Sequence, residues 1–295
     1  IAGRSVLLRT DASSSTPAKD RALELKVMNQ LENPLRWFAF NFAQCASAFV
    51  AYCLPQFAWV LASSMVMVVM GAMNQAMTAD PLGRADKYAD REEMSVLEIA
   101  AAYWFVWLAA FLFVEVGLLL LACLLKWVVM GTYKEENFTF FSNFHYRWAI
   151  MLNFKGAMAP LGDHLSGTAF QIWYYRLMGA KIGKNAYLSG IALEFDLLHV
   201  GNGAAINDDC DATAHTVERM VLKMAPVILE DNSAILPGSV VMPGGLMEQG
   251  ALLLERSQVL KGDTVRAGEI WAGQPAQRIP GSKRTRNRTP KEAKA

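Results

Sequence analysis

Cysteine, histidine and net charge are scarce in this chain, and each scarcity narrows the range of functions. The 295 residues hold four cysteines, Cys45, Cys53, Cys123 and Cys210, in apolar runs or at a small-residue repeat position. No CxxC or paired spacing occurs, so neither a zinc ribbon nor a disulfide framework is implied. The formal net charge is +1, so no global field points to nucleic acid. The chain starts at Ile1 and not at Met, and it is read as a processed or trimmed product whose targeting segment is not visible.

Charge is also missing locally, and that absence is informative. Hydrophobic residues make up 53% of the chain and concentrate between residues 35 and 130. After Arg36 the chain is almost uncharged to Met77, with Pro55 dividing the run. The stretch Gln56–Met77 is long enough to cross a bilayer of roughly 30 Å at about 1.5 Å per residue. A second run, Ser95–Met130, is longer still, and a charged loop (TADPLGRADKYADREEM) separates the two. Lys19, Arg21, Lys26 and Arg36 precede the first run, and Lys126, Lys134, Arg147 and Lys155 follow the second. This bias puts both termini on the positive side, the cytoplasm, stroma or matrix. Glu115 lies deep in the second run, where a carboxylate is costly and marks a partner or a protonated structural role. The cluster Tyr103, Trp104, Phe105 and Trp107 is expected to face lipid or a packed helix, with pigment as another occupant. Ahead of these runs, Thr16-Pro17 begins a short amphipathic helix with Leu23, Val27 and Leu31 on one face, ending at Asn33-Pro34.

The C-terminal half beats with a different period. From Leu229 an aliphatic residue returns every six places: Ile235, Val241, Met247, Leu253, Val259. Four residues after most of these stands a small one: Ser233, Ser239, Gly245, Ala251, Ser257. An earlier run reads Ile182, Leu188, a lapse at Glu194, then Val200, Ile206 and Ala212. Six is neither a helix period nor a plain strand period. It suits a parallel β-helix in which three hexapeptides make one triangular coil. The aliphatic residue points inward, the small one fits the corner, and coils stack at about 4.8 Å. About four coils are expected. Between Ala212 and Leu229 the gap is seventeen, one short of a coil, so a loop opening at His215 interrupts the stack. The chain divides into a polar segment with an amphipathic helix (1–34), a two-span membrane domain (35–131), an elbow (132–180) with an amphipathic helix at Thr168–Met178, the repeat (181–264), and a cap with a basic tail (265–295).

Several motifs carry a family resemblance. They are HYRW (145–148), LSGT (165–168), YYRLMGAKIGKNAYL (174–188), EFDLLHVGNGAAIN (194–207), AHTVERMVLK (214–223) and WAGQPA (271–276). With two apolar runs before the elbow, this order resembles the membrane-anchored hexapeptide-repeat modules of ε-poly-lysine synthetase-type non-ribosomal peptide synthetases. The similarity covers roughly residues 36–280. It implies a left-handed β-helix on two transmembrane helices. It also implies a likeness to hexapeptide acyltransferases, in which a loop histidine serves as general base on an acceptor hydroxyl or amine. His215 is the residue in that position, with Glu218 or Asp211 as orienting carboxylates.

The residues themselves leave three readings. A γ-class carbonic anhydrase needs three neutral histidines around zinc, and His145, His164, His199 and His215 show no close ligand spacing. An acyl or aminoacyl transferase needs His215 in a cleft with a carboxylate at its other nitrogen. The resemblance implies an arginine in that loop, where this chain has Met220. The glycine after the aliphatic residue survives at Gly183 and Gly201 but is replaced from Glu230 onward. The third reading is an accessory subunit of a large membrane complex, a photosystem or respiratory complex, in an organellar membrane. The serine-rich start and the tail SKRTRNRTPKEAKA need something to hold them, and a basic tail suits an acidic protein face or anionic headgroups. The sequence-based expectation is this third one, leaning away from an enzyme: no metal, no required cofactor but room for bound lipid or pigment, the bilayer and other subunits as partners, and the transferase as the alternative.

Overall fold

Pro55 does not end the first apolar helix. In the computed structural model of the chain, α2 (Pro34–Thr78) runs through it as one helix of 45 residues, roughly 67 Å long. The described residues are 17–31, 33–78, 96–158, 165–190 and 192–283. The serine-rich start, the charged loop after Thr78, His164 and the basic tail from 284 lie outside them. Before α2 comes α1 (Pro17–Leu31), and after it α3 (Val96–Leu125), which continues as a π-helical turn, Lys126–Met130. Two stretches, Pro34–Ala72 and Ala100–Met130, are long and apolar enough to cross a membrane.

The two helices meet through aromatic rings and one carboxylate. Trp59 of α2 stacks on Trp107 of α3 at 5.5 Å and lies 5.1 Å from Phe111. Its Nε1 donates to Glu115 Oε1 at 3.2 Å, so the costly carboxylate of α3 has an indole partner. Trp104 and Phe105, by contrast, are exposed. The N-terminal half of α2 packs on α4 (Asn143–Met158), which Ser142 caps by accepting the His145 N–H at 3.2 Å. Asn153 of α4 donates to Gln44 Oε1 at 3.0 Å and to Ser47 Oγ at 2.9 Å on α2. A last short helix, α5 (Ala169–Leu177), leads into the repeat.

The six-residue beat becomes two- and three-residue strands in three sheets, which the chain visits in rotation. Parallel ladders join residues eighteen apart: Ile182 to Val200, Leu188 to Ile206, Leu229 to Met247, Ile235 to Leu253, Val241 to Val259. Every aliphatic position from Leu188 on is buried, Glu194, which stands in place of one, is buried as well, and so are the small partners Ser233, Ser239, Ala251 and Ser257. Neither set could leave water without a neighbouring coil to cover it. The corners take a left-handed backbone three residues after the aliphatic one. Asn185, Gly203, Asp209, Asn232, Gly238, Gly244, Gly250, Arg256, Gly262 and Gly268 all have positive φ there. Glycine is frequent at that place because it adopts this conformation without strain. The turn residues sequence reading takes as lost, directly after the aliphatic position, are not the ones that make the corner. At the end, Glu269–Gly273 pairs antiparallel with Ala276–Lys283 and closes the stack.

The interruption differs from the expectation. Val200 pairs with Leu229 and Ala212 with Val241, steps of 29 residues instead of 18, so eleven residues are inserted. Ala212 and Leu229 therefore sit on successive faces and are not one coil apart. The insert is not an irregular loop. With β1 defined as Asn137–Thr139 in the elbow, it forms β2 (His215–Glu218) and β3 (Val221–Met224), an antiparallel hairpin that pairs back onto β1. Its two-residue turn, Arg219-Met220, has φ of 49° and 62°. Positive φ at both central residues belongs to the turn that matches the strand twist of a hairpin.

Candidate functional site

His215 opens the hairpin, and its imidazole meets a carboxylate that is neither Glu218 nor Asp211. Its Nδ1 lies 2.9 Å from Glu194 Oε1. The His215 side chain keeps 18% exposure and that of Glu194 none. The indole Nε1 of Trp148, from α4, donates to the same Glu194 oxygen at 2.9 Å. The Trp148 ring stands edge-on to His215, with centroids 4.9 Å apart. Three separate segments thus converge: the repeat, the hairpin and the elbow helix. Glu194 Oε2 has no hydrogen-bond partner among the described residues.

The electrostatics follow from this enclosure. Burial acts to lower the His215 pKa, but the Glu194 carboxylate, with Asp211 adding charge from nearby, outweighs it and raises the pKa above the ordinary value. A proton on Nδ1 facing Glu194 leaves Nε2 as the free base of the neutral ring. Tyr133 is buried, and burial first, then the Glu194 and Asp196 carboxylates, push its phenol up, so it stays protonated. His145, one turn before Trp148, stacks on Phe40 of α2 at 4.9 Å and on Phe140 at 4.0 Å. Burial pushes its pKa down to about 4, so it is neutral at ordinary pH.

The other expected residues lie elsewhere. Glu218 faces two lysines, with Lys261 Nζ at 2.7 Å and Lys223 Nζ at 3.1 Å, and Lys261 above all holds its carboxyl below the usual range. It sits at the far end of β2, where strand geometry carries it away from His215. Asp211 acts on His215 only as a nearby charge and lies in the parallel ladder opposite Val240. His199 lies in another face of the repeat, opposite Lys181 and Ile228, and burial lowers its pKa. Among the described residues no three His, Cys, Asp or Glu gather as a metal site.

Glu194 had a signal in the sequence. It occupies the position where Ile182, Leu188 and Val200 carry the inward aliphatic, which is the lapse in the beat. A carboxylate in a core column is costly to bury, and it is retained where a partner and a task exist. Position 212, one coil later, is Ala, the smallest residue of its column beside Val241 and Val259.

Comparison with known proteins bears on the reading of the whole chain. No protein-family model matches it. Over 164 residues, 55% of the chain, it is 26% identical to delta-poly-L-ornithine synthetase of Acinetobacter baumannii (strain AB307-0294), and the match spans 12% of that protein's length. Among solved structures, a hexapeptide transferase family protein from Anaplasma phagocytophilum aligns at TM-score 0.28 and 24% identity, covering 34% of this chain and 54% of its own. A hexapeptide-repeat acetyltransferase from Vibrio cholerae, complexed with acetyl coenzyme A, aligns at TM-score 0.31 and 14% identity, covering 57% of this chain and 88% of its own. Scores this low carry no conclusion by themselves. The match to a synthetase overturns the expected accessory subunit of a photosystem or respiratory complex, and with it the lean away from an enzyme. With its six-residue beat, the chain is a hexapeptide-repeat module resembling those of non-ribosomal-peptide-synthetase-like enzymes.

Proposed function

We propose that this chain is a membrane-anchored transferase module: a left-handed parallel β-helix carried on two transmembrane helices, with His215 as the general base of acyl or aminoacyl transfer. The observation that carries it is the Glu194 carboxylate, set in a core column of the repeat and facing His215 Nδ1 at 2.9 Å. Eighteen-residue parallel ladders on three faces support the β-helix. The two long apolar helices with lipid-type exposed side chains support the anchor. Both termini lie on the positive side in this reading, and lipid covers the exposed aromatics of α2 and α3.

The chemistry runs through one proton. The acceptor is an amine or hydroxyl, and its N–H or O–H donates to His215 Nε2. As the proton leaves, the acceptor atom forms a bond to the carbonyl carbon of an activated acyl or aminoacyl donor. The bond from that carbon to the leaving group breaks, and His215 returns the proton to the leaving group. Glu194 holds the ring in the right tautomer and stabilises the imidazolium that forms. Trp148 fixes Glu194 in turn. The relative that matches here is a poly-L-ornithine synthetase, which favours an aminoacyl donor and an amine acceptor.

The test is an assay of transfer from an aminoacyl donor to an amine by the full chain in lipid vesicles, with and without His215→Ala. Loss of a general base lowers the rate by about 10²–10⁴-fold. A His215→Ala protein that transfers at the unaltered rate removes the reading.

A further inference from the structure

The repeat domain does not meet the apolar helices only through α4. The short helix α5 buries Gln171, Tyr174 and Tyr175 on one side. On the other it leaves Phe170, Trp173 and Leu177 exposed at 59%, 57% and 57%. Their spacing of three and four places them in one stripe. The Phe170 and Trp173 rings meet edge to face at 5.6 Å, so the stripe is a continuous apolar ridge.

That ridge is tied to the end of α3. Trp127, in the π-helical turn after α3, donates its Nε1 proton to the Leu177 carbonyl oxygen at 2.8 Å. Trp127 and its neighbour Val128 are themselves exposed, at 45% and 74%. The apolar surface of the second long helix therefore runs on into α5 without a polar break at the junction. Along the sequence the charge of this segment has one sign. From Leu165 to Leu193 the chain has no acidic residue and three basic ones, Arg176, Lys181 and Lys184. Arg176 is anchored by donating to the Ile182 and Gly183 carbonyls, while Lys181 and Lys184 are exposed.

We propose that α5 lies in the interface of the same bilayer that holds α3, with Phe170, Trp173 and Leu177 at the headgroup–acyl boundary and the lysines toward lipid phosphates. A Trp and a Phe on an apolar stripe, cations beside it, and continuity with a membrane-length helix are the features of an interfacial helix. Water would leave the stripe uncovered, and a protein partner would not account for its continuity with α3. The repeat is then seated on the membrane surface, and its acceptor or donor reaches His215 at that surface. This inference rests on the reading of α3 as a membrane helix.

Site-directed spin labelling of the full chain tests it, in vesicles of phosphatidylcholine and phosphatidylglycerol. Cys45→Ala and Cys53→Ala remove the two cysteines that are not buried. Nitroxides are then placed one at a time through Phe170→Cys, Trp173→Cys and Leu177→Cys, with Arg256→Cys on the repeat and Phe113→Cys on α3 as references. The expected result is collision with oxygen several-fold above collision with an aqueous nickel chelate at 170, 173 and 177, as at 113, and the reverse at 256. Nickel access at the α5 positions equal to that at 256 overturns the inference in favour of a solvated helix. Low access to both agents overturns it in favour of a protein contact. If position 113 is also open to nickel, it is the membrane reading of α3 that fails; if 113 is in lipid and α5 is not, the inference about α5 alone fails. A single variant that does not fold leaves the other two positions to decide.

Discussion

Lys126 Nζ, just past the end of α3, lies 2.8 Å from Asp196 Oδ2 in the repeat, and the lysine side chain is fully buried. Asp196 Oδ2 also accepts the Tyr133 N–H at 3.1 Å, and the Lys126 ammonium sits 3.5 Å from the Trp127 ring centroid. Gly179 lets this cluster close: a Cβ there would come within 2.9 Å of the Asp196 carboxylate carbon. Asp196 is two residues from Glu194, in the one-turn helix Phe195–Leu197 whose Leu197 N–H bonds back to the Glu194 carbonyl at 3.0 Å. The ion pair therefore fastens the segment that presents Glu194 to the end of α3.

Removing one partner should cost more than removing both. Lys126→Met leaves the Asp196 carboxylate buried without its cation, and about 3 kcal/mol of stability is lost. The double change Lys126→Met with Asp196→Leu takes away both charges and recovers a large part of that loss. Chemical unfolding of the detergent-solubilised protein, followed by tryptophan fluorescence, measures both. A single variant as stable as the original would show that the pair contributes nothing.

The pH dependence of transfer should carry the mark of Glu194. A general base works unprotonated, and the His215 pKa is raised above its ordinary value of about 6.5. The rate should therefore rise with pH and reach half its plateau above pH 6.5. Glu194→Gln removes the charge that holds the imidazolium, so the half-maximal pH moves down and the plateau falls. A limb that stays in place in Glu194→Gln would separate Glu194 from the proton transfer.

Stability should fall in acid because of His145. Its folded pKa is depressed to about 4, below the unfolded value of about 6.5. Unfolding then takes up a proton between these values, so its contribution is present above pH 6.5 and is lost as pH falls toward 4, by about 1.4 kcal/mol per pH unit. His145→Phe, which keeps the stack on Phe40 and Phe140, should flatten this slope in urea melts at pH 4.5, 5.5 and 6.5. His215 acts with the opposite sign: its raised pKa stabilises below the unfolded value, and that contribution fades as pH rises through the folded one.

The hairpin turn is open to improvement. Met220 holds a φ of 62°, which a side chain adopts only at a cost and glycine adopts freely. Met220→Gly should stabilise the fold by about 0.5–1 kcal/mol, read as a modest rise in the thermal midpoint, with His215 unaffected. A lowered midpoint would mean that the Met220 side chain packs more than its partial burial suggests.

Much of this molecule is written in local patterns. The aliphatic and small positions from Leu229 to Val259 predict the inward columns, because each coil repeats one geometry and burial acts residue by residue. The long apolar runs predict α2 and α3 for the same reason, and α2 continues through Pro55 as one helix. The site is another matter. His215 can be picked out as the histidine at the break in the beat, but its partner cannot be found by proximity in sequence. Glu218 and Asp211 are near in the chain, and the strand directions and the lysines Lys223 and Lys261 decide against Glu218. Glu194 is twenty-one residues away, and Trp148 is further still. They meet His215 only because the chain returns past the same face and the elbow helix closes over it. By itself the sequence determined the period, the apolar lengths and the odd carboxylate in a core column. Tertiary structure decided which groups share that carboxylate, since hydrogen bonds and charge act over ångströms of space and take no account of distance along the chain.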